Sequence, residues 1–417
     1  MLTFQPDPLL PAAGSYDARA LAGNASLAET FNVDFIWRGA GVPGSQNFAI
    51  FDANFHVIES GSTINTVDIY HGDISPSVHS TSSQAYSTPA LIFDGGTLQY
   101  SANTITNKNA KLDSPGGTVD TNGYEAAITG IISGPGALTK IGSGILALSG
   151  ANTYTGITTI SSGTLAIVGT GSIAASTGVV DNGNVDISAT TAGASIKTLS
   201  GNGTVTLGAQ TLTLTRAADS FSGVISGSGG LSIAGGTEIL TGNNRYTGGT
   251  TINPDATLVL GNGGTGGGIA GNVVNHGSLV FRRSDAVEFS GNFSGTGALF
   301  QAGSGSLNLT GTTTLGGGSF VQQGTLAVNG ILNSQVNVAA GASLRGTGLI
   351  TGPTSVFGTL APGNSPGTLN TTATVTMNPG SVFQTDIDGK GSGNGAGNYS
   401  RLVISGADSQ FIASGTH

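Results

Sequence analysis

A possible catalytic serine lies at position 365. The segment Gly363–Gly367, GNSPG, fits the G-x-S-x-G pattern, in which an exposed serine acts as a nucleophile. In that pattern the residue after the serine donates its backbone N–H to the developing oxyanion. Here that residue is Pro366, which has no N–H, and no helical pattern follows it. We therefore interpret the segment as a turn and predict no catalytic residue in this chain.

A second segment fits the G-x-G-x-x-G pattern of dinucleotide-binding loops. Gly261–Gly266, GNGGTG, follows the strand-like run Leu258–Leu260, as such a loop requires. The pattern also requires a helix afterwards, and Asn272, Asn275 and Gly277 interrupt the next stretch. Because the chain contains 71 glycines, chance matches are expected. We predict no bound cofactor.

Two groups of polar residues contain side chains that bind metal ions in other proteins. The first group has a spacing that matches no common zinc site and consists of Asp68, His71, Asp73 and His79. The second group is similar to the start of a calcium loop and consists of Asp386, Asp388 and Gly389. The residues that follow it, Lys390–Gly393, supply no further carboxylate. We interpret the first group as a polar loop and the second as a flexible turn, and we predict no metal site.

Acidic residues could also act on polysaccharides, which requires paired carboxyl groups. The acidic residues of the central region are too scattered in sequence to be assigned as a pair, namely Asp181, Asp186, Asp219 and Glu238. Two asparagines, Asn152 and Asn244, could contact a ligand. Asparagines at turns more often cap backbone groups, and we expect that role here.

The composition restricts the class of protein. Glycine accounts for 71 of 417 residues without a Gly-X-Y period, which excludes collagen. Hydrophobic residues make up 37% and charged residues only 8%, the reverse of the balance in a disordered chain. The net charge is −9, and the 13 lysines and arginines form no cluster, so we predict no binding to nucleic acid.

The sequence also bears on export. It contains no cysteine, which suits a chain that crosses a membrane as an extended thread. No apolar run reaches the length of about 18 residues that a membrane-spanning helix needs. The first 22 residues have no basic region followed by an apolar run, so they are not a signal peptide. For an exported protein, we expect the true N-terminus to lie upstream.

The residues beyond about position 90 show a pattern of short strands joined by glycine turns. Leu212 and Leu214 alternate with threonines, which is the period of two that a half-buried strand requires. The turn-and-strand phrase Gly-Thr-Leu recurs at Gly163 and Gly324. No segment has a sustained helical period, so the chain is predicted to be all-β.

Two stretches repeat each other about 93 residues apart. The first copy contains Gly134, Gly136, Leu138, Gly150, Asn152, Tyr154, Thr155 and Gly156. The second contains Gly227, Gly229, Leu231, Gly242, Asn244, Tyr246, Thr247 and Gly248. Such a period indicates a repeat architecture in which each unit buries its apolar side against its neighbours. We predict a right-handed parallel β-helix, in which one period would hold about four coils of a little over twenty residues.

The repeated phrases resemble the passenger-associated repeat of bacterial autotransporters. The resemblance is carried by Ser133–Lys140, SGPGALTK, by Gly142–Gly156, GSGILALSGANTYTG, and by Leu240–Asn253, LTGNNRYTGGTTIN. A degraded third copy starts at Gly295–Leu299, and Leu360–Leu369, LAPGNSPGTL, is similar to a phrase near the end of such passengers. The resemblance covers residues 90–417. It implies a β-helix that is exported by type V secretion and displayed on the outer membrane or released.

These observations predict three regions. Residues 1–80 form a β-rich module outside the repeat, 81–360 form the β-helix, and 361–417 form its C-terminal coils. The resemblance implies a non-enzymatic structural passenger that serves adhesion or aggregation. It also implies, as partners, the protein's own C-terminal outer-membrane barrel, absent from this chain, and a ligand on a host surface or a neighbouring cell. The alternatives are a polysaccharide-acting β-helix enzyme and the stalk of a secreted protease whose catalytic domain lies upstream.

Overall fold

The computed structural model describes residues 49–51, 57–60, 66–70, 76–78 and 90–414. The chain divides into two compact units, Met1–Leu165 and Ala166–His417. Within the described ranges every regular element is a β-strand, which confirms the all-β prediction. The same ranges contain no helix with the length and hydropathy needed to span a bilayer.

The first unit begins with antiparallel pairs and continues with parallel ones. β1 (Ala49–Phe51) pairs with β2 (Val57–Ser60), and β3 (Thr66–Tyr70) pairs with β4 (Pro76–Val78). β3 also pairs in parallel with β5 (Ala90–Asp94).

The later strands of the first unit pair in parallel in three stacks. One continues from β5 with β8 (Ala110–Leu112) and β11 (Ile132–Ser133). Another contains β6 (Thr97–Gln99), β9 (Gly117–Asp120), β12 (Leu138–Ile141) and β14 (Thr158–Ile160). The third contains β7 (Thr104–Thr106), β10 (Glu125–Ile128) and β13 (Ile145–Leu148). β15 (Thr164–Ile167) spans the boundary between the units.

The second unit has three parallel faces, which the chain visits in turn. Face 1 contains β16 (Val179–Asp181), β19 (Leu199–Gly201), β22 (Ser220–Phe221), β25 (Gly236–Leu240), β28 (Ala256–Leu260), β30 (Ser278–Phe281), β33 (Ala298–Gln301), β36 (Ser319–Val321), β39 (Val336–Val338), β42 (Thr354–Val356), β45 (Val375–Met377) and β48 (Phe411–Ala413). Face 2 contains β17 (Asn184–Asp186), β20 (Thr204–Thr206), β23 (Val224–Gly227), β26 (Arg245–Tyr246), and then β31 (Ala286–Phe289), β34 (Ser306–Leu309), β37 (Thr325–Val328), β40 (Ser343–Gly346), β43 (Thr359–Pro362) and β46 (Val382–Phe383). Face 3 contains β18 (Ala194–Ile196), β21 (Leu212–Leu214), β24 (Leu231–Ile233), β27 (Thr250–Ile252), β29 (Val273–Asn275), β32 (Phe293–Gly295), β35 (Thr312–Leu315), β38 (Ile331–Asn333), β41 (Leu349–Ile350), β44 (Thr368–Thr371) and β47 (Arg401–Ile404).

One coil takes about twenty residues. Leu199 pairs in parallel with Val179, twenty residues earlier, and Phe281 pairs with Leu260, twenty-one residues earlier. Val338 pairs with Val321 after a shorter coil of seventeen residues. Successive coils therefore stack strand on strand, which confirms the predicted parallel β-helix.

The core is a stack of aliphatic side chains. Leu212 and Leu214 are fully buried and Thr213 between them faces outward, as the period of two predicts. Each coil thus buries its apolar residues against the coils on either side, and this burial is the main source of stability.

Glycines make the sharp turns at strand ends possible. Gly201 has a φ of 105° and Gly295 a φ of 127°, in the region that favours glycine. A Cβ atom on Gly201 would collide with the carbonyl oxygen of Asp181, and one on Gly295 with that of Asn275. Gly163 and Gly324, which begin the recurring Gly-Thr-Leu phrase, also have positive φ.

The sequence repeat is not in phase with the coil. Leu231 of the second copy lies on face 3, whereas Leu299 of the third copy lies on face 1. At about twenty residues a coil, the 93-residue spacing also falls between four and five coils rather than at the expected four. The repeat is therefore a local strand-turn-strand motif that fits more than one face of the helix.

Candidate functional site

Ser365 lies in a turn between β43 and β44. Gly363 and Gly346 exchange backbone hydrogen bonds of 2.8 and 3.2 Å, which fix this turn to the preceding coil. The only histidine among the described residues is His276, which lies several coils earlier and bonds Thr296 Oγ1 through Nδ1 at 3.1 Å. Among the described residues, therefore, no histidine is placed to act as a base for Ser365, and Pro366 has no N–H to donate to an oxyanion.

The glycine-rich segment after β28 takes the place of a face 2 strand. Arg283 holds it, because its Nη1 donates to the carbonyl oxygen of Gly267 at 2.8 Å. The same guanidinium donates to both carboxyl oxygens of Asp285, at 2.9 and 2.8 Å, and these bonds hold the pKa of Asp285 below its usual value. The next element is the strand β29, so the segment has no helix N-terminus on which to bind a phosphate.

Of the two groups of possible metal ligands, the structure describes the side chains of only the second. His71, Asp73, His79 and the side chain of Asp68 lie outside the described residues. Asp386 and Asp388 belong to an excursion between β46 and β47. There Asp388 Oδ2 accepts a bond from the Gly397 N–H at 3.2 Å. Across the described ranges, no group of three or more His, Asp or Glu side chains is placed to hold a metal ion.

The signature residues of the repeat have structural contacts. Asn152 Oδ1 accepts from the N–H of Ile132 at 2.8 Å, and Asn244 Oδ1 accepts from that of Ile225 at 2.9 Å. Both asparagines are almost fully buried and cap backbone groups of the preceding coil. The buried hydroxyl of Tyr154 bonds Thr158 at 2.6 Å, and that of Tyr246 bonds Thr250 at 2.7 Å.

The buried side chain of Lys140 also makes structural contacts with backbone groups. Lys140 Nζ donates to the carbonyl oxygens of Ile141 and Gly142, each at 2.8 Å, and to that of Ser162 at 3.1 Å. Burial lowers its pKa to about 8, against the opposing effect of the Asp120 charge. This lysine therefore satisfies turn carbonyls rather than facing a ligand.

Two carboxyl groups that are distant in sequence lie on neighbouring rungs. The Ile239 N–H donates to the carbonyl oxygen of Asp219, which places Glu238 beside Asp219. Glu238 is fully buried, and neither of its carboxyl oxygens has a hydrogen-bond partner among the residues that the structure describes. Burial, and then the charge of Asp219, raise its pKa to about 9. Sequence spacing alone did not reveal this pair, and a polymer in solution cannot reach Glu238.

Asp181 and Asn275 lie on different faces but make the same kind of side-chain contact at the turn that follows their strand. Each accepts, through Oδ1, the N–H of the glycine two residues later, at 3.0 Å from Gly183 and 3.1 Å from Gly277. Asn275 also donates from Nδ2 to the carbonyl oxygen of Ala298 at 2.8 Å, whereas Asp181 Oδ2 has no hydrogen-bond partner in the described part of the chain. Asp181 is fully buried, and burial raises its pKa to about 7 against hydrogen bonds that lower it.

We expect Asp181→Asn to stabilise the protein at pH 8. The native carboxyl binds a proton below about pH 7, whereas the unfolded one binds it only below about pH 4, so its contribution to stability falls as the pH rises between these values. The amide removes this loss, which is on the order of 4 kcal/mol at pH 8 for a pKa raised from 3.8 to about 7. Thermal unfolding followed by circular dichroism should show a higher midpoint for the variant at pH 8 and nearly equal midpoints at pH 4. An equal difference at both pH values would contradict the role of ionisation.

A polar groove lies on face 2 of the second unit. Its outward-facing positions on successive rungs are Glu288, Asn308, Ala327 and Arg345. The groove has a volume of about 370 Å³, and Asn329 and Asn364 also line it. Ala327 forms its floor, because it is only 2% exposed although it lines the groove. Successive residues of this set are 18 to 20 positions apart and match no motif, so sequence reasoning did not find them.

Comparison with known proteins identifies the repeat. The passenger-associated-transport-repeat family matches residues 138–167, 235–260 and 299–328. The third match begins within the degraded copy predicted at Gly295–Leu299, which confirms it.

Two relatives share longer stretches of the chain. Over 186 residues, or 44% of its length, the chain is 42% identical to the Adhesin BmaC autotransporter of Brucella suis biovar 1 (strain 1330), of which it covers 5%. Over 127 residues, or 29% of its length, it is 33% identical to the Extracellular serine protease of Serratia marcescens, of which it covers 12%. The chain thus spans a small part of the length of these curated relatives.

No solved structure matches it. The repeats, the parallel β-helix and these similarities support an autotransporter passenger domain with passenger-associated repeats.

Proposed function

We propose that the chain is a non-enzymatic, adhesive part of its passenger. The observation that carries this proposal is the 42% identity over 186 residues to a protein named as an adhesin autotransporter. The structure supports it, because Asn152 and Lys140 bond backbone groups of neighbouring coils and the Tyr154 hydroxyl bonds Thr158 within its own coil, so these polar groups of the repeat form structural contacts instead of a reactive site.

As an autotransporter passenger, the chain lies at the surface of a Gram-negative bacterium or outside the cell, and it is linked to its own outer-membrane translocator. We propose that residues 81–360 serve as the stalk, that 361–417 complete its C-terminal coils, and that 1–80 are a separate module presented by it. The mechanism is mechanical, because each coil provides a template for the next and the outer faces remain available for contact.

Surface display tests this proposal. The chain, fused to an outer-membrane translocator, is displayed on a non-adherent Gram-negative host, and attachment to epithelial cells and cell settling are measured. We expect both to exceed those of the same host carrying the translocator alone. Equal attachment and settling in the two strains would reject an adhesive or aggregating role.

An enzyme that acts on polysaccharides is the rival interpretation. Its best carboxyl pair, Asp219 and Glu238, includes a fully buried member without access to substrate. Incubating the purified chain with a panel of glycans and measuring released reducing ends tests this directly. We expect no release above that from a heat-unfolded sample, and clear turnover would overturn the non-enzymatic proposal.

A second candidate role is the stalk of a secreted protease. The 33% identity over 127 residues to an extracellular serine protease favours it. The purified chain and the product of its complete reading frame can be compared for casein cleavage. Cleavage by the complete product alone would support this role, and its absence from both would exclude it.

A further inference from the structure

The groove on face 2 of the second unit is rigidly built. Asn329 Nδ2 donates to Asn308 Oδ1 at 2.7 Å, and Asn329 Oδ1 accepts from Asn364 Nδ2 at 2.8 Å. The backbone N–H of Thr347 donates to the same Asn329 oxygen at 2.9 Å. The side-chain amide of Asn329 thus holds the amides of Asn308 and Asn364 in place. Within the described part of the chain, the Asn308 NH₂ group and the Asn364 carbonyl oxygen have no hydrogen-bond partner, so they can bond a ligand in the groove.

The groove also carries two opposite charges without partners. Glu288 and Arg345 are exposed and lie three rungs apart on the same outward column, about 14 Å at the usual strand spacing. That distance is too long for an ion pair between them. Neither forms an ion pair with any other residue that the structure describes. Because the two charges do not satisfy each other, each remains able to bind a ligand.

The chemistry of these groups selects the ligand. Sugar hydroxyls both donate and accept hydrogen bonds. They therefore suit a groove that contains a carboxylate, an amide donor and an amide acceptor. A planar guanidinium binds a carboxylate through two parallel bonds. An extended peptide binds sheets through backbone bonds at a strand edge. Asn308, Ala327 and Arg345 lie on the inner strands β34, β37 and β40, which are paired on both sides, so most of the groove offers a ligand side chains rather than backbone groups.

We propose that this groove binds an acidic oligosaccharide, with a uronate carboxylate at Arg345 and sugar hydroxyls along Asn308, Asn364 and Glu288. The inference rests on the proposed adhesive function and names its ligand and its site. Ala327, the smallest side chain of this column, lies at the bottom of the groove and is almost fully buried.

Titration calorimetry on the full chain tests the proposal with an oligogalacturonate, a neutral malto-oligosaccharide of equal length and a poly-glutamate peptide of equal charge. We expect the oligogalacturonate to bind. We expect Arg345→Gln to weaken this binding by at least about tenfold, because the two parallel hydrogen bonds from the guanidinium to the uronate carboxylate are lost. Arg216→Gln is the matched control, since Arg216 is also an exposed arginine of the second unit and lies outside the groove. Arg345 has no partner, so both variants should keep the wild-type thermal midpoint.

Several outcomes would overturn the proposal. They are no binding of the oligogalacturonate, equal weakening by the two arginine variants, and poly-glutamate or neutral sugar binding as tight as the uronate. Displaying Arg345→Gln on cells separates this inference from the proposed function. If those cells attach like wild type while the wild-type chain fails to bind uronate, the groove is not the site and adhesion stands. If cells that display the wild-type chain do not attach, the proposed function itself fails.

Discussion

Replacing Glu238 with leucine is expected to stabilise the protein by about 3 kcal/mol at pH 7 and by more at pH 8. Glu238 occupies an inner position of its rung, paired with Leu258 on the next one, and both side chains are fully buried. A leucine at this position continues a column of leucines, and it removes two carboxyl oxygens that have no hydrogen-bond partner.

The effect depends on pH in a defined direction. Because the native carboxyl has a pKa of about 9, the folded protein binds a proton that the unfolded chain releases above its ordinary value of about 4.5. The stabilising contribution of the native state is therefore complete below about pH 4.5 and is lost progressively as the pH rises to about 9. Thermal midpoints of the two proteins between pH 5 and pH 8 should separate steadily, with the wild type lower at high pH.

Glu238→Gln is the matched control for charge. It keeps the shape and polarity of the side chain but cannot ionise, so it should remove the part of the pH dependence that Glu238 contributes while gaining less stability than leucine. If the leucine variant melted below the wild type at every pH, the carboxyl would have stabilising contacts, and the interpretation of an uncompensated buried acid would be wrong.

Phe293→Ala is expected to destabilise the second unit by about 3–5 kcal/mol. Phe293 is 1% exposed and stacks on Phe289 with ring centroids 4.4 Å apart. Phe281 packs against both rings edge-on, at 6.3 and 6.4 Å. One coil thus contributes an aromatic ring from each of its three faces, and the alanine would leave a cavity that the stacked coils cannot close.

Phe320→Ala provides the comparison for this prediction. Phe320 stacks on Phe300 with centroids 5.1 Å apart, but this pair is half-buried on the outside of face 1. Its loss should cost only about 1 kcal/mol, because little buried volume disappears. Urea unfolding of both variants gives the two free energies. Similar losses for Phe293 and Phe320 would show that the three-ring cluster is not the centre of the core.

The local repeat made the architecture predictable. Alternating residues such as Leu212 and Leu214 indicate strands, and turn glycines such as Gly201 indicate sharp corners, because both requirements act over a few neighbouring residues. The repeat phrase around Tyr154 and Tyr246 then indicated a solenoid and its family. The capping role expected for Asn152 and Asn244 follows from the same local geometry.

The sequence by itself therefore determined the strands, the turns and the parallel coil, since each depends on short-range sterics and on burial of one side of a strand. Only the tertiary structure decided which residues stack across coils. Asp219 lies beside Glu238, and Asn308 is aligned with Arg345, because the coil length varies and the repeat is out of phase with it. On face 1, for example, a coil takes 17 residues from Val321 to Val338 but 36 from Val375 to Phe411. A shift of one residue in that register moves a side chain from the core to the surface, so no fixed spacing in the sequence could reveal these pairs.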